Sequence, residues 1–430
     1  MPDAGAAIVA RIPARTVVAA RAGRLAAGLS RRLGRGDGTV IGGRVSLLVD
    51  PGALAHLGGG RWVSLVSGTN GKTTTTRLLT AALTTSGPVV TNPQGSNLPP
   101  GLVAGLSRAA AGTRAALEVD EAWLGVVATS LRPATLTLLN LSRDQLDRVA
   151  EVRRLSERWR AVVAANPSAH VIANADDPLV AFAAVVAEGR CTWVAAGQPW
   201  VEDATGCPSC GAEIRWDGPR WSCRACDLAR PEPDLTIEGD AVVEAASGDR
   251  HLITVRLPGR ANRANAAMAA ATALRAGVAL DDALGAMEAT EAVDGRYRQV
   301  TVAGANARLL LAKNPAGWVE VFDMLEPAPA PVVVVINARI ADGRDPSWLW
   351  DVPFERLAGR RVVASGERAR DLAVRLHYAG VAHTRIADPV AAITSVAPDA
   401  VDVAANYTAL RDLDGRLGRA APDGRPARHG

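Results

Sequence analysis

Ser67-Gly68-Thr69-Asn70-Gly71-Lys72-Thr73-Thr74 decides how this chain folds. The apolar run Trp62–Val66 before it reads as a strand. Leu78, Leu79, Ala82 and Leu83 after it recur at helical spacing. A glycine-bearing turn between strand and helix lets backbone N–H groups close around phosphates, and the helix N-terminus adds positive potential. Lys72 is then expected to reach the β- and γ-phosphates of a nucleotide, and the Thr73 hydroxyl to ligate Mg²⁺. Gly68, Thr69, Asn70, Gly71 and Thr74 complete the binding loop. The usual P-loop has glycine where Val66 stands, so this is a variant of the form G-T-N-G-K-T.

Outward from the loop, strand and helix patterns alternate. Thr135–Leu139, 170–173 and 192–195 read as strands, and Val149, Val152, Leu155, Trp159 and Val162 lie at helical spacing. That order predicts an α/β fold with a mostly parallel, helix-covered sheet. Residues 199–232, rich in Cys, Pro, Gly and Trp, interrupt it as a small inserted module, and a helix resumes over 262–276. A second, smaller α/β series follows, with strands at 308–312, 332–336, 361–364 and 400–404 and a helix over 367–378. The expected organisation is an N-terminal helical segment at 1–37, a central nucleotide-binding domain at 38–298, a C-terminal α/β domain at 299–420 and a flexible tail at 421–430. The first segment reads as one amphipathic helix ending at the Gly34–Gly38 turn, packed or solvated, with contact to a membrane surface as the alternative.

The chain has 430 residues, 48% of them hydrophobic, so its length alone suggests two or three domains. The longest aliphatic run, Val332–Ile336, falls far short of the roughly 20 apolar residues a spanning helix needs. No uninterrupted apolar segment follows the scattered N-terminal arginines, so a secretory signal is not expected and a cytoplasmic location is. A net charge of +4 is too balanced to argue for nucleic acid. Only two of the 48 basic residues are lysine, Lys72 and Lys313, which marks both as positions to test for chemistry.

Cys207-Pro-Ser-Cys210 and Cys223-Arg-Ala-Cys226 form two C-x₂-C knuckles. Four thiolates fill a tetrahedral Zn²⁺ site with no position left for water, which predicts a structural zinc ribbon. The acidic neighbours Glu202, Asp203, Asp217 and Asp227 do not favour nucleic acid there. The fifth cysteine, Cys191, reads as a buried strand residue.

The loop variant resembles that of Mur ligases and folylpolyglutamate synthases, and further strings follow in the family order. Asn140-Leu141-Ser142-Arg143-Asp144-Gln145-Leu146-Asp147 resembles N-L-x-x-D-H-L-D, with Gln145 replacing His. Asn174-Ala175-Asp176-Asp177-Pro178 matches N-A-D-D-P. Leu257-Pro258-Gly259 through Asn262 and Asn265-Ala266 matches L-P-G-x-x-N-x-x-N-A, and Gly295-Arg296 the G-R opening the last domain. The resemblance implies that Glu118, in Glu118-Val119-Asp120-Glu121, holds Mg²⁺, with Asp120 and Glu121 as further acids, against a merely solvated acidic loop. It also implies that Asn265 and Arg296 contact nucleotide and Asn97 contacts substrate. The carbamylated lysine of many Mur ligases is absent, because no lysine lies between Lys72 and Lys313.

In the C-terminal domain, Leu310 through Gly317 replaces the D-Y-A-H-x-P of ordinary Mur ligases. With Asn337-Ala338-Arg339-Ile340-Ala341-Asp342-Gly343-Arg344-Asp345-Pro346-Ser347-Trp348, Asn406-Tyr407 and the Cys₄ insertion, the chain is similar to the MurT family, whose members usually read N-D-N where Ala338 and Arg339 stand. That resemblance implies an ATP-dependent ligase of peptidoglycan biosynthesis. It would convert the α-carboxylate of D-glutamate in the lipid II stem peptide to the amide through an acyl phosphate. It implies ammonia from a GatD-type glutaminase in a heterodimer, and peripheral membrane contact through the lipid-linked substrate. Lys313 is expected to steady the phosphate, and Asp345, with Asp342 and Asp351 behind it, to complete the partner's catalytic triad. The alternative for Asp345 is the cap of a turn before Ser347. The alternative functions are an amino-acid-adding Mur or folylpolyglutamate-type ligase and a non-catalytic zinc-ribbon adaptor or nucleic-acid binder.

Overall fold

The structure is a computed structural model, and it describes residues 12–33, 38–92, 95–143, 149–290, 297–302, 304–397 and 400–420. The chain divides into two compact units. The first runs to residue 291 except for 143–149 and 258–260, and the second comprises those stretches and residues 292–430.

The first unit opens with three helices, α1 (Ala14–Arg32), α2 (Thr39–Val49) and α3 (Ala53–Gly58); α1 lies within the segment expected to hold one helix, and α2 and α3 follow in a stretch to which the sequence assigns none. The pattern of α2 was hard to read because glycine, serine and threonine, rather than large aliphatics, take its buried positions. Its sheet is built from β1 (Val63–Ser67), β2 (Val89–Val90), β3 (Arg114–Glu118), β4 (Thr135–Leu138), β5 (His170–Asn174) and β6 (Cys191–Ala195). A hairpin of β7 (Ile214–Asp217) and β8 (Arg220–Cys223) stands apart as the cysteine module. The sheet then gains β9 (Leu235–Glu238), β10 (Ala241–Glu244) and β11 (Arg250–Leu252), giving the order β11-β10-β9-β6-β5-β4-β1-β3-β2. No strand is expected from the sequence over 235–252, where the structure places these last three. Their signal is the Gly239-Asp240 turn between two short β-branched runs.

Parallel strands covered on both faces are apolar throughout rather than alternating. Thus β1 is buried at every position, with Leu65 facing one core and Val66 the other. On the first face lie α5 (Pro99–Leu106), α6 (Leu124–Leu131), α7 (Val149–Ala165) and α8 (Pro178–Ala184), represented by Leu102, Leu124, Trp159 and Leu179. On the other lie α4 (Lys72–Thr84), α9 (Arg260–Arg275) and α10 (Leu280–Met287), with Leu78, Met268 and Leu284. Fully burying a leucine such as Leu78 contributes about 1.5–3 kcal/mol.

The second unit carries the sheet order β12-β13-β17-β14-β15-β16, from β12 (Tyr297–Val302), β13 (Ala305–Leu311), β14 (Val332–Val335), β15 (Val362–Ser365), β16 (His383–Arg385) and β17 (Val401–Ala405). All pairs are parallel except β12 with β13. Val332 and Val334 face one core and Val333 and Val335 the other.

Candidate functional site

Three adjacent parallel strands, β4, β1 and β3, deliver the first site at their C-terminal ends, where open α/β sheets bind ligands. The loop Gly68–Gly71 leaves β1, residues 118–121 leave β3, and Asn140–Ser142 leave β4. That is why segments distant in sequence converge.

No side chain caps the start of α4, and its first turn carries no acid, so helix N–H groups face the loop. Gly71 takes φ +84°, and a Cβ there would lie 2.4 Å from Asn265 Oδ1. The same oxygen accepts from Thr75 Oγ1 at 3.1 Å, which fixes α9 to the loop. Asn140 cradles the other side. Its carbonyl accepts from Thr69 N at 2.9 Å, its Oδ1 from Asn70 N at 2.9 Å, and its Nδ2 donates to Asn70 O. Thr69 and Ser142 exchange two further bonds. Gly68–Asn70 are therefore held in shape by protein contacts, an arrangement that could cradle phosphate oxygens without rearranging.

Lys72 is buried, and its ammonium donates to the carbonyls of Gly68 and Thr69 and to Glu121 Oε2 at 2.8 Å. Glu118 is buried too; its Oε1 accepts from Asn97 Nδ2 at 3.3 Å, and its backbone is clasped by Asn92. Asp120 Oδ1 accepts from Ala122 N at 3.0 Å, within its own turn. The three acids that the sequence groups as candidates thus meet different partners. Thr73 and Thr74 lie on the first turn of α4. Arg296 lies outside the described residues.

The cysteine module brings Cys207, Cys210, Cys223 and Cys226 together, every Sγ within 4.8 Å of the others. Cys207 and Cys226 are 3.7 Å apart, and Cys210 and Cys223 3.4 Å. Sulfurs bound to one tetrahedral Zn²⁺ at about 2.3 Å stand roughly 3.8 Å apart, so the donor set fits that ion. Burial leaves the Cys191 thiol well above its usual range, in keeping with an inert strand residue.

The module is seated on the N-A-D-D-P segment, which sequence reasoning had not connected to it. Cys207, Ile214 and Trp221 pack against Ala181 of α8. Trp221 Nε1 donates to Ala175 O at 3.1 Å, and Arg230 pairs with buried Asp176 at 2.6 Å. Next in sequence, Asp177 accepts from Leu179 N, Val180 N and, at 2.9 Å, Leu141 N. Burial raises its carboxyl to about 6 against those three donors. Leu141 sits between Asn140 and Ser142, the two residues that hold the phosphate loop. Only the tertiary structure reveals this relay, because the bonds Trp221–Ala175, Arg230–Asp176 and Asp177–Leu141 each join residues far apart in the chain.

In the second unit, Asp345 Oδ1 accepts from Ser347 N at 2.9 Å, so it does cap the turn Pro346–Trp350. It also lines a cleft of about 390 Å³ with Ser347, Leu349, Trp350, Arg370 and Val374. Asp342 is buried and faces inward, accepting from Thr408 N and from the Thr408 hydroxyl. Asp351 lies 3.7 Å from the Arg143 guanidinium. Lys313 is exposed at the end of β13, with its ammonium 5.8 Å from the centre of the Tyr407 ring. Asn337 and Asn406 clasp one another, locking the ends of β14 and β17. Arg339 reaches Glu367 at 2.6 Å and Asp412 at 2.7 Å, and this explains an arginine at that departure from the family pattern. Nothing in the structure explains Ala338.

Residues 66–198 match the Mur ligase middle domain, and residues 311–410 match the MurT ligase C-terminal family. The MurT subunit of the glutamine-hydrolysing lipid II isoglutaminyl synthase of Streptococcus pneumoniae is 28% identical over 405 residues, 87% of this chain and 89% of that protein. The corresponding Staphylococcus aureus subunit is 28% identical over 386 residues, 83% of this chain and 86% of that one. Among solved structures, a pseudomurein peptide ligase type C from Methanothermus fervidus superposes with a TM-score of 0.65 at 17% identity, covering 84% of this chain and 79% of that one. MurF from Acinetobacter baumannii gives 0.62 at 16%, covering 87% and 80%. These two likenesses speak to the fold alone. Among the described residues no helix is long and apolar enough to cross a membrane.

Proposed function

The chain belongs to the MurT family of Mur-ligase-like proteins, and on that premise we propose that it is the ligase subunit that amidates lipid II during peptidoglycan synthesis. The family is ATP-dependent and uses Mg²⁺, and its named members are subunits, so this chain works with a partner. The observation that carries the reading is the phosphate loop, with its one lysine buried beside Glu121 and its acidic companion Glu118 held by Asn97.

A carboxylate is a poor electrophile for ammonia. Transfer of the γ-phosphoryl group to a carboxylate oxygen releases ADP and leaves an acyl phosphate. Ammonia then attacks the acyl carbon, phosphate departs, and the amide remains. We assign the acceptor as the α-carboxylate of the D-glutamate in the stem peptide. Lys72 and the loop amides offset charge on the transferring group. Glu118 and the Thr73 hydroxyl are the proposed ligands of Mg²⁺, a hard cation suited to few protein oxygens beside phosphate. Asn265 would position nucleotide, Asn97 substrate, and Lys313 would steady phosphate.

The partner is proposed to be a GatD-type glutaminase that supplies ammonia. Asp345, exposed at a cleft beside the half-exposed Trp350, suits the task of orienting a partner histidine, whereas inward-facing Asp342 does not. Zn²⁺ in the cysteine module would be structural, closing a site with no open coordination position.

The direct test measures ADP release by the purified chain with lipid II, with ammonia as nitrogen donor. Formation of amidated lipid II in step with ADP supports the reading. ADP formed only with an amino acid as acceptor would instead favour the amino-acid-adding alternative.

A further inference from the structure

The helical pair α1 and α2 is packed inside out. In an ordinary soluble helix the large aliphatic residues face the core. Here the contact between the two helices is made by small residues: Ala19, Gly23 and Ala27 of α1 against Gly42 and Ser46 of α2. The approach is so close that a Cβ on Gly23 would lie 2.6 Å from Gly42 O, and Ser46 Oγ donates to Ala19 O at 3.1 Å. Close packing on small residues, with large aliphatic side chains turned outward, is how helices pair when their outer face meets lipid rather than water.

Those outward side chains form a stripe. Val18, Leu25 and Leu29 recur at spacings of seven and four, opposite the buried Gly23 line, and Leu33 continues them. Leu25 is 76% exposed, and Leu48 on α2, seven residues beyond exposed Ile41, is 80% exposed. Arginine borders the stripe: Arg21 lies four residues before Leu25, Arg32 three after Leu29, and Arg44 lies between Ile41 and Leu48. Together α1 and α2 carry six arginines and no acidic residue. Neither helix can span a bilayer.

We propose that α1 and α2 form a docking surface for an anionic bilayer, leucines entering the headgroup boundary and arginines meeting lipid phosphates. Charge complementarity selects an anionic lipid surface over a neutral apolar partner. The physiological purpose rests on the lipid-linked acceptor proposed above, but the surface does not. Docking would hold the ligase at the plane where its substrate is anchored.

Cosedimentation of the full-length chain with vesicles tests this without any substrate. We expect binding to phosphatidylcholine mixed with phosphatidylglycerol, little binding to phosphatidylcholine alone, and weakening as salt is raised. Each arginine near the surface is worth about fivefold in partitioning, so Arg21→Gln with Arg32→Gln should reduce it at least tenfold. Leu25→Asp with Leu29→Asp should do the same, with an unchanged melting temperature because both side chains are solvent-facing. No binding to the anionic vesicles, or binding that survives the leucine pair, would overturn the proposal. So would light scattering that shows a dimer split into monomers by the leucine pair, since a second copy would then cover the face. Amidation of lipid II in detergent micelles tests the reaction separately, so the two ideas can fail independently.

Discussion

The Lys72 ammonium and the Glu121 carboxylate meet at 2.8 Å in the mouth of the phosphate loop, although 49 residues separate them. The pair joins the end of β1 to the end of β3, and it singles Glu121 out from its neighbours. Lys72→Ala is expected to lower ATP turnover about a thousandfold, the scale of removing a preorganised charge donor. Glu121→Gln leaves the ammonium aimed only by loop carbonyls and should cost about ten- to a hundredfold in kcat. Asp120→Ala should stay within a few-fold of the parent. Steady-state kinetics on the three variants checks this, and equal losses at 120 and 121 would contradict the assignment.

Glu118 should read out through metal rather than lysine. Glu118→Gln keeps the acceptor for Asn97 but removes the charge a divalent cation needs. The Mg²⁺ concentration for half-maximal activity is expected to rise at least tenfold, with nucleotide binding in the absence of metal little changed. A magnesium titration decides it.

The relay from the cysteine module to the phosphate loop predicts that the two communicate. Removing Zn²⁺ with a zinc-selective chelator, or replacing Trp221 by Phe to delete its bond to Ala175, should loosen the seat of Asp177 on Leu141. A weakening of nucleotide binding by about 0.5–2 kcal/mol is expected, together with a lower melting temperature. Calorimetric titration with and without the chelator measures it, and identical affinities would show the module to be a bystander. Arg230→Met tests the seat differently. It strands buried Asp176 without its cation and should cost about 3–5 kcal/mol of stability.

The two candidate aspartates in the second unit should separate by nitrogen source. Asp345→Ala is expected to abolish glutamine-driven amidation in the presence of the partner while sparing ammonia-driven amidation. Asp342→Ala should instead destabilise the unit, since it removes both acceptors of Thr408. Activity with each donor, alongside thermal melts, distinguishes the two.

His170 predicts a pH response of stability. Burial first, then the Arg275 and Arg190 charges, lower its pKa to about 4 from the usual 6.5. The folded state therefore disfavours the proton. The contribution is complete above pH 6.5 and is lost as pH falls toward about 4, since the unfolded chain binds the proton more readily. Discounted for its partial exposure, it amounts to about 1–2 kcal/mol. Denaturant melts between those pH values should show a shallower slope for His170→Gln.

The sequence by itself determined the parts of this protein that follow from local periodicity and short-range spacing. The strand-loop-helix at 62–84, the alternation that makes a parallel sheet, the two C-x₂-C knuckles and the family strings are all properties of neighbours along the chain. Tertiary structure alone decided which acid of 118, 120 and 121 meets Lys72, because strand register sets that choice. It alone showed Asp342 facing inward while Asp345 lines a cleft, because both sit in one short loop whose turns reverse direction within a few residues. It also exposed the inverted packing of α1 and α2. A helix that buries glycine and alanine and exposes leucine carries the same 3.6-residue period as an ordinary amphipathic helix, so periodicity reports a face but not which way it turns.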